Sequence, residues 1–125
     1  MENLRIDYEI ISSNKYQGNK DIESLALPNA MFVTSNCVFS KCEKLKNVYF
    51  GLDITRIGNR TFAECPSLTD VYFGITDKDK IIEIAEDAFA DNNQDITFHI
   101  FASALDNKYL NNYARKHHFK VVGMI

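Results

Sequence analysis

The sequence carries no excess of basic residues, no long apolar run and few of the residues that punctuate or staple a chain. Its 14 Lys and Arg face 17 Asp and Glu, for a formal net charge of −3. The cations are scattered among acids, which argues against a nucleic-acid partner, since such binders usually carry a basic stripe. The longest apolar stretches are far too short to span a bilayer, so no membrane insertion is expected. The segment Met1-Glu2-Asn3-Leu4-Arg5-Ile6-Asp7 lacks the apolar run of a secretory signal. The chain as it stands is therefore expected in the cytoplasm, or at a cell surface if it is part of something longer. Three cysteines are an odd number in a chain without a signal, which points to reduced thiols rather than a disulfide framework. Gly-rich phosphate loops, metal-spaced Cys/His sets and nucleophile elbows are all missing, so no cofactor, metal or enzymatic activity is expected.

What remains is an ordinary soluble composition, 46% hydrophobic and 25% charged over 125 residues. That length suits one domain with its own core. The informative feature is self-similarity, the signature of stacked repeats. Phe39-Ser40-Lys41-Cys42-Glu43-Lys44-Leu45-Lys46-Asn47-Val48-Tyr49-Phe50 lies over Phe62-Ala63-Glu64-Cys65-Pro66-Ser67-Leu68-Thr69-Asp70-Val71-Tyr72-Phe73 at a displacement of 23, with Phe, Cys, Leu, Val, Tyr and Phe identical. Upstream, Met31 and Thr34 answer Ile54 and Ile57. A third copy follows at a displacement of 27, with Ile81, Ile84, Ala88, Phe89, Phe98 and Ile100 in the same roles and Asn92 where the cysteines stood. Its extra residues fall in Gly74-Ile75-Thr76-Asp77-Lys78-Asp79-Lys80, a polar stretch that reads as a lengthened loop. Stepping back by 23 finds a degenerate first copy with Tyr8, Ile11, Tyr16, Ile22, Leu25 and Leu27 in the apolar slots, and terminal repeats are usually atypical.

Within each unit, Leu-x-x-Val-x-Phe ends in a period-2 alternation, a short strand with one buried face. The stretch from Ile54 to Ile57 alternates likewise. Between them, Thr61-Phe62-Ala63-Glu64-Cys65 and Ala88-Phe89-Ala90-Asp91-Asn92 read as one tight helical turn that aims Phe inward. No unit covers its apolar side alone, so the coils must stack, with corresponding strands about 4.8 Å apart in parallel sheets. Phe39, Phe62, Phe89, Leu45 and Leu68 are then core, and Cys42 and Cys65 stack in the interior as small hydrophobes.

The best copy, Ile57-Gly58 with Phe62, Cys65, Leu68, Val71 and Phe73, closely resembles the BspA-type leucine-rich repeat, also described for treponemal repeat proteins. The resemblance spans roughly residues 8–100. Val38 and Thr61 stand where that family has Ala, Asn92 stands for Cys, and only Pro28 matches the Pro that follows the strands. The resemblance implies an α/β fold: a right-handed leucine-rich-repeat solenoid of short parallel strands and short helical turns, closed by a C-terminal helix plus strand. One domain, 1–125, is expected, with a degenerate first coil at 8–27, repeats at 28–50, 51–73 and 74–100, and a cap at 101–125. In the cap, Leu105, Tyr109, Leu110, Tyr113, Ala114 and His117 form an apolar stripe at helical spacing. Asp106, Asn107 or Ser103 caps the helix start, and Phe119-Lys120-Val121-Val122 reads as the final strand.

Equivalent outward residues of stacked strands form columns. One is Ala26, Tyr49, Tyr72 and His99; Ser24, Asn47, Asp70 and Thr97 run on one side, and Pro28, Gly51, Gly74 and Phe101 on the other. The resemblance implies binding through this strand face, so Tyr49, Tyr72, His99, Asn47, Asp70 and Phe101 are the candidate binding residues. Tyr offers much contact area at low entropy cost. The competing reading is an aromatic ladder that only supports the sheet.

Other features are weaker. Cys37 is out of phase with the cysteine ladder, and a nucleophilic role would need a base such as His99, His117 or His118. His117 and His118 point about 100° apart on a helix and do not chelate one ion together; one is expected against the core and the other in solvent. Glu83-Ile84-Ala85-Glu86-Asp87 reads as a solvated edge, and Asp77-Lys78-Asp79-Lys80 lacks the Gly and distant Glu of a calcium loop. The leading functional expectation is a protein-interaction module with a protein partner, monomeric or weakly dimeric through its exposed first coil. The alternatives are a fragment or small relative of the family's bacterial cell-surface adhesins, and a small intracellular inhibitor or regulator of one target. Met1, the atypical first coil and the closing cap together favour a complete small protein.

Overall fold

The computed structural model describes residues 3–34 and 36–125; Met1, read above as a native start, lies outside them. Along the chain come β1 (Asn3–Arg5), β2 (Ile10–Ile11), β3 (Ser24–Leu27), β4 (Phe32–Val33), β5 (Asn47–Phe50), β6 (Arg56–Ile57), β7 (Asp70–Phe73), β8 (Glu83–Ile84), β9 (Thr97–Phe101), α1 (Lys108–His117) and β10 (Lys120–Met124). They form two parallel sheets, one ordered β1-β3-β5-β7-β9-β10 and the other β2-β4-β6-β8. Every second strand of the repeats belongs to the same sheet, so the chain winds as a solenoid. The register follows the sequence displacements: Val48 pairs with Val71 and Tyr49 with Tyr72, 23 residues on, while Val71 pairs with Phe98 and Tyr72 with His99, 27 residues on.

The third side of each coil is a hydrogen-bonded turn. Ser40, Ala63 and Ala90 each donate a backbone N–H to the carbonyl three residues back, at Cys37, Arg60 and Asp87. Alternate residues also bond across coils, with Phe39 N–H to Thr61 O at 2.9 Å and Phe62 N–H to Ala88 O at 2.7 Å. Each turn ends on a residue with positive φ, Lys41, Glu64 or Asp91 at 59°, 55° and 59°. The residue after it supplies a shared bond to the coil before. Cys42 Sγ donates to Tyr16 O at 3.3 Å, Cys65 Sγ to Phe39 O at 3.2 Å, and Asn92 Nδ2 to Phe62 O at 2.9 Å. Asn92 therefore replaces cysteine without losing the bond, and its Oδ1 accepts from Cys65 N–H as well.

Inside, one aromatic per coil builds a spine. Tyr16 stacks on Phe39 with centroids 5.7 Å apart, Phe39 on Phe62 at 5.7 Å and Phe62 on Phe89 at 5.4 Å. A second row, Phe50, Phe73 and Phe98, runs behind the main sheet at 5.5 and 4.9 Å. The cap closes this core. Tyr113 and Phe119 pack on Phe89 and Phe98, and the Tyr113 hydroxyl donates to the carbonyls of Ala85 and Glu86. Asn107 is the N-cap of α1: its Oδ1 accepts from the N–H of Tyr109 and Leu110, while its Nδ2 donates to Lys80 O at 2.8 Å, tying the helix to the lengthened loop. His118 ends the helix with φ of 62°. Among the described residues, no helix is long and apolar enough to cross a membrane.

Four core assignments shift. Thr34, aligned above with Ile57, is exposed, and the buried Val33 pairs with Ile57 at a step of 24. Tyr8 is 71% exposed, while Ile6, one place beyond Arg5, is buried beside Leu27. The main sheet gains a rung upstream of residue 8: β1 pairs with β3, and Ile6 N–H continues to Ala26 O, so alternation turns Leu4 and Ile6 inward. In the third copy Ile81 is 60% exposed and Ile82 is buried. The inserted residues return the chain to the second sheet only at Glu83, whose N–H bonds to Thr55 O, and the inward side chain moves by one place. Within the stretch read as polar loop, Ile75 is buried and supports the insertion from beneath.

The spine predicts a graded response to truncation. Phe62, buried and stacked on both faces, should lose about 3–5 kcal/mol on Phe62→Ala, whereas Tyr16→Ala, at the half-exposed end of the row, should lose clearly less. Urea unfolding of both variants checks this; equal losses would contradict a continuous stack.

Candidate functional site

Main-chain pairing alone brings the six expected binding residues onto one face of the main sheet. Each strand directs Val and Phe, or Leu and Leu, into the core, so the residues between them point outward. The register then places Tyr49 beside Tyr72 and Tyr72 beside His99. Their rings stack face to face, with centroids 4.6 Å apart and planes at 10° for the first pair, and 4.2 Å and 11° for the second. Tyr49 is 40% exposed, while Tyr72 and His99 are half-buried between their neighbours.

Asp70 anchors the row. Its Oδ1 lies 2.7 Å from His99 Nε2, and its Oδ2 accepts from the Thr69 hydroxyl at 2.7 Å. With the carboxylate ionised, Nε2 carries the proton and donates. Burial pushes the Asp70 carboxyl up, but the hydrogen bonds from His99 and Thr69 outweigh it and hold the group below its ordinary value. Burial also raises the Tyr72 phenol, helped by the charge of Asp70 and by Tyr49. Asn47 stands apart from this cluster and donates from Nδ2 to Ser24 Oγ at 3.4 Å. Phe101 closes β9 on the same face, partly exposed, and among the described residues makes no ring contact with the stack.

The face is wider than the columns predicted for it. Strand β10 pairs with β9 so that Lys120, Val122 and Met124 extend the three columns beyond Thr97, His99 and Phe101. The signal was present: 23 residues beyond His99 stands Val122, the same step that relates Tyr49 to Tyr72. At the other end β1 adds Asn3 and Arg5 beside Ser24 and Ala26, at a step of 21 that the 23-residue frame misses.

The remaining candidates are accounted for by packing. Cys42 and Cys65 are buried, and burial pushes the Cys65 thiol up to about 12 and raises Cys42 as well. Cys37 is partly exposed at the start of a turn, with φ of 64°. Among the described residues no histidine hydrogen-bonds to it; His99 is held by Asp70, and His117 stacks on Tyr113 at 4.1 Å with Nε2 3.4 Å from Glu86. His118 is exposed, so one histidine faces the core and the other solvent, although the left-handed turn at His118 rather than a helical angle separates them. A cleft of about 380 Å³ lies between β8 and α1, lined by Ile82, Ile84, Glu86, Tyr109, Tyr113 and Lys116. The Lys116–Glu86 ion pair at 2.6 Å and the Tyr113 bonds cross it, which makes it the seam of the cap.

Comparison with protein families shows that the model of the BspA type leucine rich repeat region fits residues 3–120 in 6 copies, from the first residue of β1 to the first of β10. Neither a curated protein nor a solved structure matches the chain.

Two measurements check these environments. A carboxyl lowered in the folded state contributes stability above its unfolded pKa, and that contribution is lost as pH falls through the folded value. Asp70→Asn should therefore be less stable than the parent at pH 7, and the gap should close below about pH 4; a gap that persists in strong acid would contradict the His99 and Thr69 bonds as its source. Alkylation of the native protein with iodoacetamide near pH 8 should mark Cys37 alone, with Cys42 and Cys65 reacting only after unfolding. Rapid native labelling of all three would contradict the buried ladder.

Proposed function

Because the chain belongs to the BspA-type leucine-rich-repeat family, we propose that it is a protein-interaction module that takes its partner on the outward face of the six-stranded sheet. The leucine-rich-repeat fold is typically non-enzymatic and used for binding. The observation that carries the assignment to this face is the row Tyr49, Tyr72 and His99, stacked at 4.6 and 4.2 Å and pinned at one end by Asp70. Rings already immobilised lose little freedom when a partner covers them, which is how aromatic residues come to dominate interfaces.

A supporting ladder accounts for the stacking but not for its setting. A ladder is served by any pair of rings, whereas here Tyr49 and Val122 leave apolar surface open at both ends of the row, with Phe101 and Met124 beside it. Hydrogen-bonding groups rim the row at Ser24, Asn47, Asp70 and Thr97. An apolar centre with a polar rim is the anatomy of an interface. Six strands spaced by about 4.8 Å and four residues long present roughly 300–400 Å², about half of the ~800 Å² that one partner contributes to a standard complex. The face suits a loop or an extended segment of the partner rather than a broad flat surface.

The test is the Tyr49→Ala/Tyr72→Ala double variant. It should keep the circular dichroism spectrum of the parent and lose the proteins that the parent enriches from lysate of its source cell. Enrichment of the same proteins by a folded double variant would refute the face.

A further inference from the structure

The aromatic row stops one place short. On the outward column Arg5 pairs with Ala26, Ala26 with Tyr49 and Tyr49 with Tyr72. Rings fill the positions from Tyr49 onward, but at Ala26 a methyl group stands where a ring would continue the stack. We infer that the space above Ala26 is a slot that receives one aromatic side chain of the protein partner; this rests on the reading of the strand face as the binding surface.

Four observations define the slot. Strands two apart in a parallel sheet are separated by about 9–10 Å, so the Arg5 and Tyr49 rungs enclose one ring in contact on both sides. Tyr72 occupies one face of Tyr49, and among the described residues no other ring or cation lies on Tyr49, which agrees with its 40% exposure. Arg5 is drawn away along its own strand, with Nε 2.7 Å from Asp7 Oδ1. One flank is low: the Tyr49 rung carries Gly51, which has no side chain, and the Ala26 rung carries the short ring of Pro28. On the opposite flank Ser24 and Asn47 are bonded to each other, leaving a polar margin for a hydroxyl or indole N–H.

The walls select the guest. An aromatic ring gains a parallel stack on the open face of Tyr49. A guanidinium or ammonium guest also gains the Tyr49 face, but it must give up hydration, and the Asp7 carboxylate that could pair with it is already taken by Arg5. An aliphatic guest fills the volume without either interaction. The guest is therefore Trp, Tyr or Phe in an extended segment, consistent with the small area of the face.

The probe is N-acetyl-tryptophanamide, compared with N-acetyl-leucinamide and N-acetyl-argininamide in NMR titrations of the full chain. The tryptophan amide should move the Ala26 methyl upfield and bind roughly 2- to 12-fold more tightly than the leucine amide, the factor that aromatic pairing energies imply; the arginine amide should bind more weakly than the tryptophan amide. Ala26→Phe fills the slot from within and should abolish these shifts. If that variant does not fold, Tyr49→Leu, which removes one wall, should erase the preference for tryptophan over leucine. An unmoved Ala26 methyl, equal binding of the three amides, or a preference that survives either folded variant overturns the slot. Peptides selected from a displayed library separate the two levels. Peptides that bind the parent and fail on Tyr49→Ala/Tyr72→Ala, yet carry no aromatic and ignore Ala26→Phe, sink the slot and leave the face standing; selected peptides that bind the double variant equally sink both.

Discussion

Each coil is covered by the next coil, and the cover works only if like side chains fall over like. A single coil here offers a short strand, a two-residue strand and a turn, too little to bury its own Phe, Leu and Val. Stacking in register turns three such edges into two sheets and a ladder of turns. It also turns isolated aromatics into the Tyr16–Phe39–Phe62–Phe89 spine. In a parallel sheet a slip of one residue would carry every core side chain to the outside. The register is therefore the interaction from which both core and surface follow.

The same constraint organises the polar parts. Cys42, Cys65 and Asn92 each reach back to a carbonyl of the preceding coil's aromatic residue, so one bond type is repeated with two side chains. Glycine is required where rungs crowd: at Gly74 a Cβ would meet Phe50 O at 2.8 Å. The cap ends the stack by imitating it. β10 adds one more rung to the main sheet, and α1 lies across the last turn, with Tyr113 and Phe119 taking the places a further coil would fill. The outward columns owe their order to this inward one, since nothing but the spacing of Val48, Val71 and Phe98 in the core aligns Tyr49, Tyr72 and His99 outside it.

Identical residues at a fixed step made most of this legible in the chain. The main-sheet strands from Ser24 to Ile100, the buried phenylalanines, the cysteine ladder and the outward columns follow from the 23- and 27-residue displacements, and the capping helix from its apolar stripe. The misses occur where a side chain's direction depends on the path of an irregular segment. Tyr8 and Ile81 sit in the frame but are exposed, because β2 pairs with β4 at a step of 22, which sets Glu9 rather than Tyr8 opposite Met31, and the insertion after Gly74 delays the return of the second. Helix capping was open among three residues until the Lys80 carbonyl singled out Asn107. The bond between Asp70 and His99, 29 residues apart, joins neighbouring columns diagonally, and column reasoning alone treats those columns as separate.

The register itself is open to direct measurement by nuclear Overhauser effects in the isotope-labelled chain. The account predicts strong ring-to-ring contacts between Phe39 and Phe62 and between Tyr49 and Tyr72, with interstrand contacts joining Val48 to Val71 and Val71 to Phe98. Contacts that instead join these same residues one place out of step, or the absence of contact between Phe39 and Phe62 in the folded chain, would contradict it.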